Sequence, residues 1–145
     1  MAVCLGGTTA AAGAATTSQT LRIAGSIGPE QHRCWTVEGQ VITMDTCGKP
    51  HQVFKVTRSP KYVVISQGAA CVGVNSLSPN GVAMGNCAAK GAELQLAKDV
   101  GDDGVLRWII EGEGGAAIFG DNGGRVFATA GGAAADQEYV LQPAA

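Results

Sequence analysis

Charge is scarce in this chain of 145 residues: ten basic and twelve acidic side chains make up 15% of it and leave a formal net charge of −2. The lysines and arginines form no cluster, so the electrostatic footprint that holds a phosphate backbone or an anionic membrane surface is missing. Nucleic acid is therefore not an expected partner. No apolar run approaches the ~20 residues with which a helix spans a bilayer, and membrane insertion is not expected either. Catalytic chemistry is equally thin. The near-neutral bases are His32 and His51, and neither stands in a G-x-S-x-G motif or beside a catalytic cysteine pattern. Both read as surface-loop residues. A phosphate loop of the G-x-x-x-x-G-K-[ST] type is absent. Asp99, Asp102 and Asp103 lack the spacing and terminal Glu of a calcium loop and read as a solvated turn. There is no CxxC pair for a structural zinc site or a thioredoxin-like motif, and no N-x-S/T sequon. These absences point away from an enzyme and call for no metal and no cofactor.

What the chain has in quantity is glycine, 22 residues, with abundant alanine. That composition suits short strands joined by tight turns better than helices laced with ion pairs. It also has five cysteines, Cys4, Cys34, Cys47, Cys71 and Cys87. Their spacing groups Cys34 with Cys47 and Cys71 with Cys87 and leaves Cys4 over. Persistent disulfides imply an oxidising compartment, so the chain is expected to be secreted or extracellular. The segment Met1 to Ser18, rich in Ala, Thr and Gly, fits the end of a signal peptide. It fits equally a small-residue arm whose Cys4 could bridge two copies of the chain into a homo-oligomer. The expected organisation is residues 1–18 as this arm or remnant and residues 19–145 as one domain.

Self-similarity organises the rest. An apolar strand recurs as Leu21-Arg-Ile23, Tyr62-Val-Val-Ile65 and Val105-Leu-Arg-Trp-Ile-Ile110. A short piece follows, Cys34-Trp-Thr-Val37, Cys71-Val-Gly-Val74 and Ala117-Ile-Phe119, and then a glycine-bearing turn. Next come Ile42-Thr-Met-Asp-Thr-Cys47, Val82-Ala-Met-Gly-Asn-Cys87 and Val126-Phe-Ala-Thr-Ala-Gly131. Gln52-Val-Phe54, Glu93-Leu-Gln95 and Gln137-Glu-Tyr139 open the last strands. Successive copies lie roughly 40 to 44 residues apart in three of the four elements, and 37 and 46 apart in the second. Three copies of four short strands predict an all-β domain, a six-stranded barrel capped by three hairpins with pseudo-threefold symmetry and few free edges. The expected core is Val53, Val63, Ile65, Val72, Val74, Leu106, Ile118 and Val140, with Trp108 and Phe54 as larger fillers.

At these residues the chain resembles the ricin-B-type lectin family, whose repeat has a C-L-D-V piece, an L-W-x-C piece and a closing Q-x-W. The resemblance runs from about Gln19 to Gln142 and implies a β-trefoil that binds carbohydrate. It supports the bridges Cys34–Cys47 and Cys71–Cys87, with none in the third repeat, where Ala117 and Gly131 stand. The family's sugar-holding Asp falls on Thr36, Gly73 and Phe119. Its stacking aromatic falls on Asp45, Gly85 and Thr129, and the Asn before its closing Gln falls on His51, Ala92 and Asp136. The fullest candidate ligand sets are Asp45, His51, Gln52 and Trp35 in the first repeat, and Asp121, Asn122, Asp136 and Gln137 in the third. Read from the residues alone, Asp121-Asn122-Gly is also a hairpin turn, and Gln52 and Gln137 also suit bracing of backbone. The leading expectation is a non-catalytic lectin-like module with a glycan as partner. The alternatives are an assembly subunit tied through Cys4, and a protease inhibitor presenting Ser76-Leu-Ser-Pro79 or Ser26-Ile-Gly-Pro29.

Overall fold

The structure is a computed structural model that describes residues 16–26, 28–75, 78, 81–112, 117–122, 124–129 and 137–144. Cys4 and the rest of the arm up to residue 15, Ile27, Ser76, Leu77, Pro79, Gly131 and Asp136 lie outside the described residues. The chain is all-β. Its strands are β1 (Thr17–Gly25), β2 (Arg33–Glu38), β3 (Val41–Thr46), β4 (Phe54–Arg58), β5 (Val63–Gln67) and β6 (Ala70–Val74). They continue as β7 (Val82–Asn86), β8 (Gln95–Val100), β9 (Leu106–Glu111), β10 (Ile118–Asn122), β11 (Arg125–Thr129) and β12 (Tyr139–Pro143). Short 3-10 turns at Gly28–His32 and Lys90–Ala92 interrupt them. The strand pattern follows the alternation of side chains across a pleat. In β3, for example, Ile42 and Met44 are buried while Thr43 and Asp45 face outward. Gly39 (φ 66°) and Gly124 (φ 82°) take the left-handed backbone that the tips of the β2–β3 and β10–β11 hairpins require.

Antiparallel pairing closes a ring. β1 pairs with β4 and β12, β4 with β5, and β8 with β9, which in turn pairs with β12. The remaining seam between β5 and β8 is joined by the reciprocal bonds Val63 N–H to Leu94 O (2.7 Å) and Leu94 N–H to Val63 O (2.9 Å). Apart from that bridge β8 pairs only with β9, and its other edge has no strand partner among the described residues. The hairpins β2–β3, β6–β7 and β10–β11 lean on one another. Met44 N–H donates to Gly124 O and Met84 N–H to Gln40 O, each at 2.8 Å. A side chain on Gly81 would meet the Ala128 carbonyl at 3.2 Å, so the third hairpin contact is equally close.

The core is layered. Leu21 is paired with Phe54, Val63 with Leu94 and Trp108 with Tyr139 on neighbouring strands of the ring, all buried. Ile23, Ile65 and Ile110 fill the next layer, and Ile42, Val82 and Val126 close it from the hairpins. Trp35 occupies the centre with no exposed surface. Its ring stacks on Phe119 (5.9 Å, 19°) and meets Phe54 (6.1 Å) and Tyr139 (5.4 Å) edge-on. These are favoured geometries of the ring quadrupole. Val63, Ile65, Val72, Phe54 and Trp108 are buried as expected, and Val74, Ile118 and Val140 are half-buried. Two expected core residues are not in it. Val53 is 37% exposed because its neighbour Phe54 takes the inward position, and Leu106 is 40% exposed beside Val100 near the end of the β8–β9 hairpin. Both disulfides, Cys34–Cys47 and Cys71–Cys87, are present, each linking the first strand of a hairpin to the residue just past its second strand.

Truncating Trp35 to Ala should lower unfolding stability by about 3–5 kcal/mol, the range for emptying a large buried aromatic site. The indole Nε1 has no hydrogen-bond partner among the described residues. Trp35→Phe should therefore cost clearly less, which denaturant midpoints of the two variants will test.

Candidate functional site

The three hairpin bases differ by what fills them. Beneath β2–β3, Gln52 is fully buried and uses its whole amide. Its Oε1 accepts from Gly48 N–H (2.8 Å) and Lys49 N–H (2.9 Å), while Nε2 donates to Thr36 Oγ1 (3.0 Å) and Thr46 O (2.8 Å). Thr36 in turn donates to Cys34 O (3.0 Å) and is buried. Asp45 stands at the rim. Its carboxylate accepts from Lys49 Nζ (3.0 Å) and Thr46 N–H (2.7 Å), which hold its pKa below the ordinary value. His51 is exposed and sits in the left-handed region (φ 66°), with its carbonyl taking Val37 N–H. Asp45, His51 and Gln52 are thus brought to one loop. Trp35 is not: it lies in the core, so the indole expected as a ligand platform has no surface to offer. The reason is steric, since Trp35 pairs with Met44 on the inward face of the hairpin.

Beneath β6–β7 the same place is open. Two registers fix the comparison, and one of them corrects the sequence alignment by one residue. Leu94 pairs with Val63 as Phe54 pairs with Leu21 and Tyr139 with Trp108, so Ala92, not Glu93, stands level with Gln52 and Gln137. The residue before it is then Gly91, not Ala92. Each of Thr36, Gln52 and Asp45 consequently has a truncated counterpart, in Gly73, Ala92 and Gly85. A cavity of about 290 Å3 results, lined by these three with Cys71, Val74, Asn75, Ala83, Asn86 and Gly91 among others. Asn86 Oδ1 accepts from Ala88 N–H (2.9 Å), which fixes its amide at the cavity wall. Retained polar side chains do not mark this cavity; its signal in the sequence is the coincidence of small residues at Gly73, Gly85 and Ala92.

On the third hairpin Phe119 pairs with Ala128 as Trp35 pairs with Met44 and Val72 with Met84. Phe119 is thereby a core residue, and the position matched to Thr36 and Gly73 is Gly120. Asp121 and Asn122 are the last residues of β10, paired with Val126 and Arg125, at the tip of the hairpin rather than in its turn. Gln137 is at the opposite end, buried, with Nε2 donating to Thr129 Oγ1 (3.2 Å). A strand's length therefore separates the residues expected to act together there, and Asp136 lies outside the described residues. Among the acidic residues near the β8–β9 turn, Asp103 holds Arg107 by two bonds (3.0 and 2.8 Å), which lowers its pKa to about 2. Among the described residues no group of three or more His, Cys, Asp or Glu could hold a metal ion.

Solved structures with the same fold are known. SeviL bound to asialo-GM1 saccharide matches with a TM-score of 0.70 and 16% identity, over 89% of this chain and 100% of its own. A mosquitocidal holotoxin matches at 0.73 and 11% identity, covering 87% of this chain, which spans 16% of the toxin chain. A designed 3-fold symmetric protein, ThreeFoil, matches at 0.64 and 12% identity, over 86% of this chain and 99% of its own. No protein-family model and no curated protein sequence matches the chain. These likenesses show the fold, a β-trefoil.

Gln52→Leu should destabilise the protein by about 2 kcal/mol, because the loop amides of Gly48 and Lys49 lose their acceptor. Hydrogen exchange at those two amides should quicken at the same time. Asp103→Asn tests the ion pair through pH. A carboxyl held below its ordinary value contributes stability above that value and loses it as pH falls. The deficit of the variant should be complete near neutrality, shrink as pH drops below 3.8 and vanish below about 2.

Proposed function

We propose that the protein is a secreted, non-catalytic carbohydrate-binding module, built as three units of four short strands about a pseudo-threefold axis. The carrying observation is the cavity of about 290 Å3 beneath β6–β7. It lies where the family resemblance puts a sugar, and it is near the lower end of the ~300–1,000 Å3 of small-molecule sites. Gly73, Gly85 and Ala92 clear the space, and the amides of Asn75 and Asn86 supply donors and acceptors for hydroxyls at its wall. Gly91 shapes it further: a Cβ there would collide with the Val74 carbonyl, so the Lys90–Ala92 turn packs directly on β6 as a fixed back wall.

The fold neighbours support the same reading, since SeviL was solved with a saccharide bound. The two disulfides fit an oxidising, extracellular setting. Asp45 and His51 on the first hairpin loop form a second candidate contact, with Asp121 on the third hairpin as a further one. Asp45 offers a charged acceptor, the kind of partner that strengthens a sugar hydroxyl contact.

Binding of the oxidised protein to a broad glycan array tests the proposal, with Asn75→Ala, Asn86→Ala and Asp45→Ala variants alongside. Specific binding weakened about fivefold or more in each asparagine variant, and unchanged in Asp45→Ala, is expected, one neutral hydrogen bond contributing about 1 kcal/mol. Loss in Asp45→Ala alone would move the site to the first hairpin. A blank array from a folded protein would overturn the carbohydrate reading.

A further inference from the structure

Beyond the Leu94–Val63 bridge, the edge of β8 that faces away from β9 has no strand partner among the described residues, and the first repeat shows what covers such an edge. Leu94 stands level with Phe54, so Gln95 to Lys98 stand level with Lys55 to Arg58. In the first repeat Thr20 to Thr17 of β1 pair with Lys55 to Arg58, residue for residue. Beside β8 the corresponding chain turns away instead. Ser59 donates to Tyr62 O from its N–H (3.0 Å) and from its Oγ (2.9 Å), and β5 starts only at Val63. Gln95, Lys98, Asp99 and Val100 are left exposed.

The direction of the free backbone groups follows from the bonds at either end of β8. Leu94 turns its N–H and C=O toward Val63, whereas Gly101 N–H points the other way, to Val105 O (3.2 Å). The register with β9 is unbroken between them, and successive residues of a strand point their polar groups to opposite sides. Leu96, Lys98 and Val100 therefore present N–H and C=O outward, at the spacing that an added strand needs.

Charge selects that strand. Lys98 pairs with Trp108 and shares its face, with Nζ 5.8 Å from the centre of an indole over which Arg58 also stands (4.8 Å). Neither cation makes an ion pair among the described residues. A carboxylate on the added strand opposite Lys98 would meet the first directly and approach the second across the ring, while Leu96 and Val100 flank Lys98 on the same face. A second copy of the chain fits badly. Pairing β8 with itself about a twofold axis sets Lys98 against Lys98 or Asp99 against Asp99, or, centred on Ala97, brings Val100 to the place that Val63 holds. Residues 1–15 carry no acidic side chain. We infer that the β8 edge takes up an extended segment of a partner protein as an added antiparallel strand, with an acidic side chain opposite Lys98 and apolar ones opposite Leu96 and Val100.

Titration of the 15N-labelled, oxidised protein with the peptide acetyl-Thr-Val-Thr-Glu-Thr-Val-Thr-amide tests the inference, with the peptide carrying Lys in place of Glu as the comparison. In the free protein the amides of Leu96, Lys98 and Val100 should exchange with solvent faster than those of Ala97 and Asp99. The Glu peptide should shift those three amides saturably and slow their exchange. The Lys peptide should bind about fivefold more weakly, and Lys98→Glu should reverse the preference. Equal binding of the two peptides, or none, would overturn the inference. Slow exchange at the three amides in dilute free protein would also overturn it, by showing a strand from the chain itself already in place. Protection that appears only as protein concentration rises would do the same, by assigning the edge to a second copy.

Discussion

The contact on which the rest of the architecture depends is that of Trp35 with Phe119, Phe54 and Tyr139. It joins the second, fourth, tenth and twelfth strands, which are far apart in the sequence, at a single point near the centre. Large aromatic side chains bury more apolar surface than any other, and an edge-and-face cluster adds to that gain through ring electrostatics. With the centre filled, the hairpins can approach until their tips share backbone bonds, as Gly124 with Met44 and Gln40 with Met84. The closed ring of strands and the hairpin cap are then two consequences of one packed core.

That core also explains which parts of the molecule are readable from its sequence. The recurrence of strand, bend, strand, turn and strand is written in apolar alternation and glycine, and the hairpins follow it. The two disulfides are written in cysteine spacing. Phase is harder. Ala117-Ile-Phe119 and Cys34-Trp-Thr both begin with a small residue, and nothing local says that Phe119 must align with Trp35. Only the partner Ala128 across the hairpin fixes it. Glu93-Leu-Gln95 imitates a polar residue opening the last strand, but the bulk of Leu94 belongs against Val63, and this shifts the alignment by one. Trp35 misleads for a similar reason. An aromatic beside polar residues suggests a ligand platform, and the side of a pleat on which it stands is decided by pairing, here with Met44.

The comparison among the hairpin bases carries a wider lesson about binding sites. Gln52, Thr36 and Asp45 fill the first base and satisfy one another and the loop backbone. Their counterparts Ala92, Gly73 and Gly85 cannot, and the vacated volume is the cavity. That open base is defined by small residues and by the backbone around them. The first base, by contrast, is a well-braced loop in which Gln52 holds the backbone of Gly48, Lys49 and Thr46.

The distribution of the bridges divides the entropy cost of folding unevenly among the three hairpins. In the oxidised, unfolded chain, residues 34–47 and 71–87 are already held as closed loops. Part of the entropy of forming the first two hairpins is therefore surrendered before folding begins. The β10–β11 hairpin has no such tie and must be closed from open chain, although it delivers Phe119 to the central cluster. More of the ordering entropy of the third hairpin is therefore lost on folding itself.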